Sequence, residues 1–184
     1  MTPDPDAPLI DVLGEAQRVG MLGRGPIPAM IDHASAFVDA LPAGELEVVD
    51  LGSGGGLPGL VVAAHRLDVR LTMVDRRAKR TDFCRRAVSR LGLQDRVTVV
   101  TDDIARLVAD PTWQSRFDAA ICRGLGPPAT TARLASALVR AGGLVVVSEP
   151  PPGSPARWDP AELDAAGLRG PGAANERVAV FVRV

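Results

Sequence analysis

The sequence predicts an α/β domain: a mostly parallel sheet with helices on both faces. Three observations carry this. Short apolar runs alternate with segments of helical spacing. A glycine-rich turn joins the first such strand and helix. Over 184 residues, 46% hydrophobic and 23% charged positions are ordinary for one globular domain.

Residues Met1–Pro8 are acidic and proline-rich and read as a disordered leader, without the basic segment that precedes a secretory core. Leu9–Val19 reads as a short helix ended by Gly20, and Gly23–Pro28 as a connector. Ala29–Leu41 has helical spacing through Met30, Ala34, Phe37, Val38 and Leu41, and Pro42 closes it. The domain division expected is a leader and short helix over 1–28, then one domain over 29–184.

The first strand holds Leu46, Val48 and Val49, and the helix Leu60–Ala64 follows. Then come strand Leu71–Val74, helix Ala78–Leu91, strand Val97–Val100, helix Ile104–Ala109 and strand Asp118–Cys122. Helix Thr130–Arg140, the turn Ala141-Gly142-Gly143 and strand Leu144–Val147 complete the alternation. Beyond Glu149 the residues Pro150, Pro151, Pro152, Gly153 and Pro155 form a stiff connector to a helix near Pro160–Ala166. Only Gly167–Arg169 remains for a weak sixth strand before the alternating run Arg177–Val184. No apolar run approaches the roughly 20 residues a membrane helix needs, so the expected location is the cytoplasm.

The turn after the first strand carries the chemistry. Val48–Gly59 reads V-V-D-L-G-S-G-G-G-L-P-G, with Asp50, Gly52, Gly54 and Gly56 at alternate positions. Glycines there admit positive φ and close approach of a ligand to the backbone, and N–H groups at the next helix start favour a carboxylate or phosphate. A dinucleotide fingerprint needs a sixth-position glycine counted from Gly52, and that position is Leu57, which weakens a nicotinamide reading. The D-x-G-x-G-x-G form resembles the first motif of class I S-adenosylmethionine-dependent methyltransferases. A purely structural glycine turn is the plain alternative.

Asp75 ends the second strand, 25 positions after Asp50. An acid there can accept from both ribose hydroxyls; otherwise it is a surface aspartate. At the third strand tip, Asp103 could accept from an exocyclic amine and the Ile104 N–H donate to a ring nitrogen, although Asp102 or Asp103 could also simply cap the next helix.

Cys84 lies on the helix face of Phe83, Ala87, Val88 and Leu91 and reads as a small core residue. Cys122, at a strand end, has no neighbouring base in the sequence to make it a nucleophile. His33 and His65 are isolated, so no metal site is expected. The chain has a net charge of −1, unlike an autonomous RNA binder, yet Arg76–Arg90 contains seven cationic residues against the single Asp82. That stretch is either a phosphate-binding face or a solvated helix surface.

Taken together, D-L-G-S-G-G-G-L-P-G, V-D-R-R-A-K-R-T-D-F-C-R-R-A-V and F-D-A-A-I-C-R-G resemble the bacterial 16S ribosomal RNA guanine-N7 methyltransferase family, known as RsmG or GidB. The resemblance runs from about Ala29 to Gly143. It implies a Rossmann-like class I methyltransferase fold with a seven-stranded sheet, the last strand antiparallel between the fifth and a weak sixth. It also implies S-adenosyl-L-methionine as cofactor and the small-subunit RNA as partner of a monomeric enzyme. The implied cofactor set is Asp50, Gly52, Ser53, Gly54, Gly56, Leu57, Asp75, Arg76, Asp103, Ile104, Ala105 and Arg123. Lys79, Arg80 and Arg86 are the implied RNA contacts, and Phe83 matches the family's aromatic.

Because guanine N7 carries a lone pair and no proton, the implied reaction needs no general base, and Arg123 is assigned to orienting substrate or cofactor. A salt bridge to Asp75 or Asp118 is the alternative role for Arg123. Departures from the family fall at two places. Ala105 replaces a glutamate, and Ser148-Glu149 replaces Lys-Gly at the fifth strand tip; the resemblance matches a late arginine of the family to Arg177, across the proline-rich insertion. Glu149 weakens attraction to phosphate and keeps a changed substrate open. A small-molecule methyltransferase, a catalytically silent cofactor-binding protein and a nicotinamide oxidoreductase remain alternatives.

Overall fold

The structure, a computed structural model, describes residues 6–151, 154 and 156–184. Its elements are α1 (Ala7–Arg18), α2 (Ile27–Ala40), β1 (Leu46–Leu51), α3 (Gly59–His65), β2 (Val69–Asp75), α4 (Ala78–Arg90), β3 (Val97–Thr101), α5 (Ile104–Ala109), β4 (Phe117–Cys122), α6 (Pro128–Leu138), β5 (Val139–Ser148), α7 (Pro160–Ala165), β6 (Leu168–Asn175) and β7 (Val178–Arg183). The strands form one sheet in the order β3-β2-β1-β4-β5-β7-β6. β1 to β5 run parallel, and β7 is antiparallel to both its neighbours. This is the Rossmann-like class I methyltransferase topology expected from the sequence.

Side chains alternate between the faces of each strand. Val48 therefore joins the cluster beneath α1 to α4, while Val49 and Leu51 join the one beneath α5 to α7. Both faces are covered, which is why the strands read as continuous apolar runs. In α1, Leu9, Val12, Leu13 and Ala16 recur at i, i+3, i+4 and i+7 and are buried in the same cluster as Val48. No helix among the described residues is long and apolar enough to cross a membrane.

Several boundaries differ from the sequence reading. The leader expected over Met1–Pro8 lies outside the described residues up to Pro5, and Ala7 and Pro8 already belong to α1, since proline suits a first helical turn. The turn at Ala141-Gly142-Gly143 is a bulge inside β5, where the register with β4 jumps from Phe117↔Val139 to Ala119↔Leu144. The sixth strand extends over Leu168–Asn175, well past Arg169. It is ordered by main-chain pairing to β7, so its small residues gave no apolar alternation to read. Pro152, Gly153 and Pro155 of the expected connector lie outside the described residues.

Candidate functional site

The order of the sheet reverses at β1, whose neighbours β2 and β4 lead away in opposite directions, so a crevice opens at the carboxyl ends of β1 and β4. The glycine loop sits there. The N–H groups of Gly52 and Ser53 both donate to the Val74 carbonyl, at 2.8 and 3.0 Å, and that of Gly56 donates to the Ser53 carbonyl at 2.7 Å. Gly52 has φ +78°, and a Cβ there would lie 3.1 Å from the Leu125 side chain. A side chain at 52 would thus be strained and would crowd the crevice.

Asp75 ties this loop to the second strand. It is buried; its Oδ1 accepts from the Arg77 N–H at 2.9 Å, and its Oδ2 from the Gly54 N–H at 3.1 Å and from Arg80 Nη1 at 3.3 Å. A carboxylate offers about four lone-pair positions, so acceptor capacity remains. The surrounding cleft has a volume of about 380 Å³ and is lined by Gly52, Asp75, Arg76, Arg77, Arg80, Asp103, Ile104, Gly124 and Leu125, among others. At its far wall Asp103 caps α5, accepting from the Ala105 N–H at 2.9 Å. The Ala105 N–H is thereby consumed, whereas the Ile104 N–H has no acceptor among the described residues.

Behind the loop lies an orphaned carboxylate. Asp50 is fully buried, and neither carboxylate oxygen has a hydrogen-bond partner among the described residues. The Ser53 hydroxyl donates instead to the Asp50 main-chain carbonyl, at 3.0 Å. A Cβ on Gly59 would lie 2.5 Å from Asp50 Oδ2, so the glycine is what leaves room for this group. Burial pushes the Asp50 carboxyl up to about 7.

Arg123, just past β4, makes no hydrogen bond or ion pair with any described residue. Burial lowers its basicity, and the charge of Asp50 opposes that. The alternative salt bridges do not form: Asp118 pairs with Arg140 Nε at 2.5 Å, and Asp75 with Arg80. An unpartnered, half-buried guanidinium is costly to keep unless a ligand completes it.

Beyond Arg123 a larger cavity, about 610 Å³, is lined by residues of α2, the tip of β5 and the start of β7, including Asp32, His33, Asp39, Glu149, Glu176 and Arg177. His33 titrates below its ordinary value because of burial, then because of Arg123 and Arg177.

The structure thus gathers Gly52, Asp75, Arg76, Asp103 and Ile104 around one cleft; Gly54 donates to Asp75 and Arg123 immediately precedes Gly124 of the lining, but neither lines the cleft itself. Asp50, Ser53, Gly56 and Leu57 are buried behind the loop and do not line it. Of the three expected RNA contacts, Lys79 and Arg86 are exposed on α4, whereas Arg80 turns into the cleft. His33 and Leu125 were not singled out as site residues, because only folding brings α2 and the β4 loop to this edge. Cys122 is fully buried, with its thiol pushed up by burial, which removes it as a nucleophile.

Fold and cleft together define a class I methyltransferase architecture. A Thermotoga maritima S-adenosylmethionine-dependent O-methyltransferase superposes with a TM-score of 0.63, covering 94% of this chain and 71% of the other at 14% identity. The family model for rRNA small subunit methyltransferase G (GidB) matches residues 29–149, and the chain belongs to that family. Ribosomal RNA small subunit methyltransferase G of Deinococcus deserti is 34% identical over 122 residues, 62% of this chain and 50% of that protein. The same-named protein of Rubrobacter xylanophilus is 30% identical over 140 residues, 73% of this chain and 53% of its own length. The chain therefore spans about half the length of these relatives.

Proposed function

We propose that this protein transfers a methyl group from S-adenosyl-L-methionine to N7 of a guanine in 16S ribosomal RNA. The observation that carries the reading is the convergence of the glycine loop, Asp75 and the Ile104 N–H on one cleft, with Arg123 next to its lining and without a partner among the described residues, in a chain of this family.

The residues present suit the cofactor. The spare capacity of Asp75 fits the two ribose hydroxyls, the Ile104 N–H fits an adenine ring nitrogen, and the gap preserved by Gly52 fits close backbone contact. When bound, the cofactor supplies an electrophilic methyl group on a sulfonium. Asp75 and the Ile104 N–H would hold the nucleoside end of the cofactor in this cleft. That methyl group would pass to the N7 lone pair of guanine, with the carbon–sulfur electron pair leaving on sulfur and the guanine ring becoming cationic. No proton moves, so the chain's task is alignment and electrostatics. Arg123 orients the acceptor from beside the cleft, and the exposed Arg76, Arg77, Lys79 and Arg86, which have no ion pairs among the described residues, supply a phosphate-binding face.

A small-molecule methyltransferase is the second reading, favoured by the four carboxylate side chains lining the larger cavity. Ribosomal RNA from a strain lacking this gene, mapped for N7-methylguanine, decides between them: one missing methylation is expected, and unchanged modification overturns the RNA assignment.

A further inference from the structure

We propose that the 610 Å³ cavity beyond Arg123 is the acceptor-base pocket and that Glu149 reads the Watson–Crick edge of guanine there. The inference rests on the guanine reading above and deepens it.

Position comes first. Glu149 follows β5, which pairs with β4 on one side and β7 on the other. Its N–H donates to the Arg177 carbonyl at 2.7 Å, so the tip of β5 and the start of β7 meet at the same carboxyl edge as the glycine loop. Two strand spacings, about 10 Å, separate β1 from β5. Arg123 directly follows β4, the strand that lies between them in the sheet. A planar base in this cavity therefore lies next to the cofactor cleft.

The chemistry of the lining comes next. Asp32, Asp39, Glu149 and Glu176 line the space with Arg177 as the only Lys or Arg among the described lining residues; Arg177 Nη1 is 2.9 Å from Asp32 Oδ2, and Glu149 is paired with Arg157. His33 is held toward its neutral form. Such a lining repels phosphate and suits a group rich in N–H donors. Within it Glu149 is preorganised. Its Oε1 accepts from the Trp158 indole N–H at 2.5 Å and lies 3.6 Å from Arg157 Nε, while Oε2 has no hydrogen-bond partner among the described residues. Trp158 in turn packs on Phe181, with ring centroids 4.7 Å apart. With Oε1 held, the two lone pairs of the open Oε2 can accept the adjacent N1–H and N2–H of guanine, charge-assisted. Adenine, with an acceptor at N1, cannot make that pair. The same carboxylate also faces a ring that turns cationic on methylation, an interaction stronger after methyl transfer begins than before. Ser148-Glu149 stands where the family resemblance has Lys-Gly, so the carboxylate at 149 belongs to the present chain.

The test is calorimetric titration of guanosine, inosine and adenosine into the intact protein saturated with S-adenosylhomocysteine, for wild type and Glu149→Gln. The glutamine keeps an oxygen for Trp158. Guanosine is expected to bind at least about tenfold more tightly than adenosine, with inosine between, and the variant to lose about tenfold toward guanosine alone. Equal binding of guanosine and adenosine, absent guanosine binding, or a folded variant that binds guanosine like wild type overturns the proposal. Should the glutamine variant not fold, the wild-type preference decides by itself. Ribosomal subunits that accept no methyl label would refute the RNA reading separately, leaving the nucleoside titration to judge the pocket.

Discussion

Arg80 reaches across the mouth of the cleft to Asp75, placing Nη1 3.3 Å from an oxygen that already accepts from the Gly54 N–H. The contact is long, and the arginine side chain is one-third exposed against 6% for the aspartate. A surface partner of this kind is worth at most about 1 kcal/mol. The ribose hydroxyls can displace it, whereas nothing can replace the carboxylate.

Asp75→Ala is therefore expected to weaken S-adenosyl-L-methionine binding by about 1 to 3 kcal/mol. Arg80→Ala should change it by less than about 1 kcal/mol. Calorimetry on the two variants checks the contrast; equal losses would mean that Arg80, and not the acid, holds the nucleoside.

Arg123→Met should separate stability from activity. Because the guanidinium bonds to no described residue, its removal is expected to leave urea stability within about 1 kcal/mol of wild type. Methyl transfer should fall at least about tenfold through lost orientation. A variant that unfolds easily yet, when folded, turns over normally would assign Arg123 a structural role.

Asp50 makes stability depend on pH in the direction opposite to that of a paired carboxylate. Its folded value of about 7 stands above the ordinary value of 3.8, so the native state binds the extra proton. Between these values the unfolded chain binds fewer protons, and stability falls as pH rises, levelling above about 7. Asp50→Asn should gain on wild type across that window, read as a growing difference in urea midpoint from pH 4 to 7 and a constant one beyond. A constant difference throughout would show that Asp50 is already ionised in the fold.

Lys79→Ala and Arg86→Ala, both on the exposed side of α4, should each reduce the salt dependence of RNA binding by about one unit of log K against log salt. Binding across a series from 50 to 200 mM salt, roughly the range in which phosphate contacts are lost, measures the slope. Unaltered slopes would return α4 to the role of a solvated helix.

Legibility in the sequence followed the range of the interactions involved. Asp50 and the glycines announced a strand-to-helix turn because positive φ is a local demand, and Asp75 followed because an acid after a buried strand is a local anomaly. The extent of β6 was not legible, since Leu168–Asn175 owes its order to pairing with β7 and not to its own pattern. Asp103 could be read both as a cap and as a ligand, and the structure shows the cap formed.

What the chain determined by itself was the alternation of strands and helices, the glycine turn and the acids at the strand tips, all encoded over a few neighbouring residues. What the tertiary structure decided was company: Arg80 beside Asp75, Arg123 without a partner among the described residues, and His33, Glu149 and Arg177 gathered from three distant segments around one cavity. Sheet pairing and helix packing bring those side chains together across more than a hundred residues of chain. No spacing rule along the sequence carries that information, because contacts of that range are set by the whole fold and not by any segment of it.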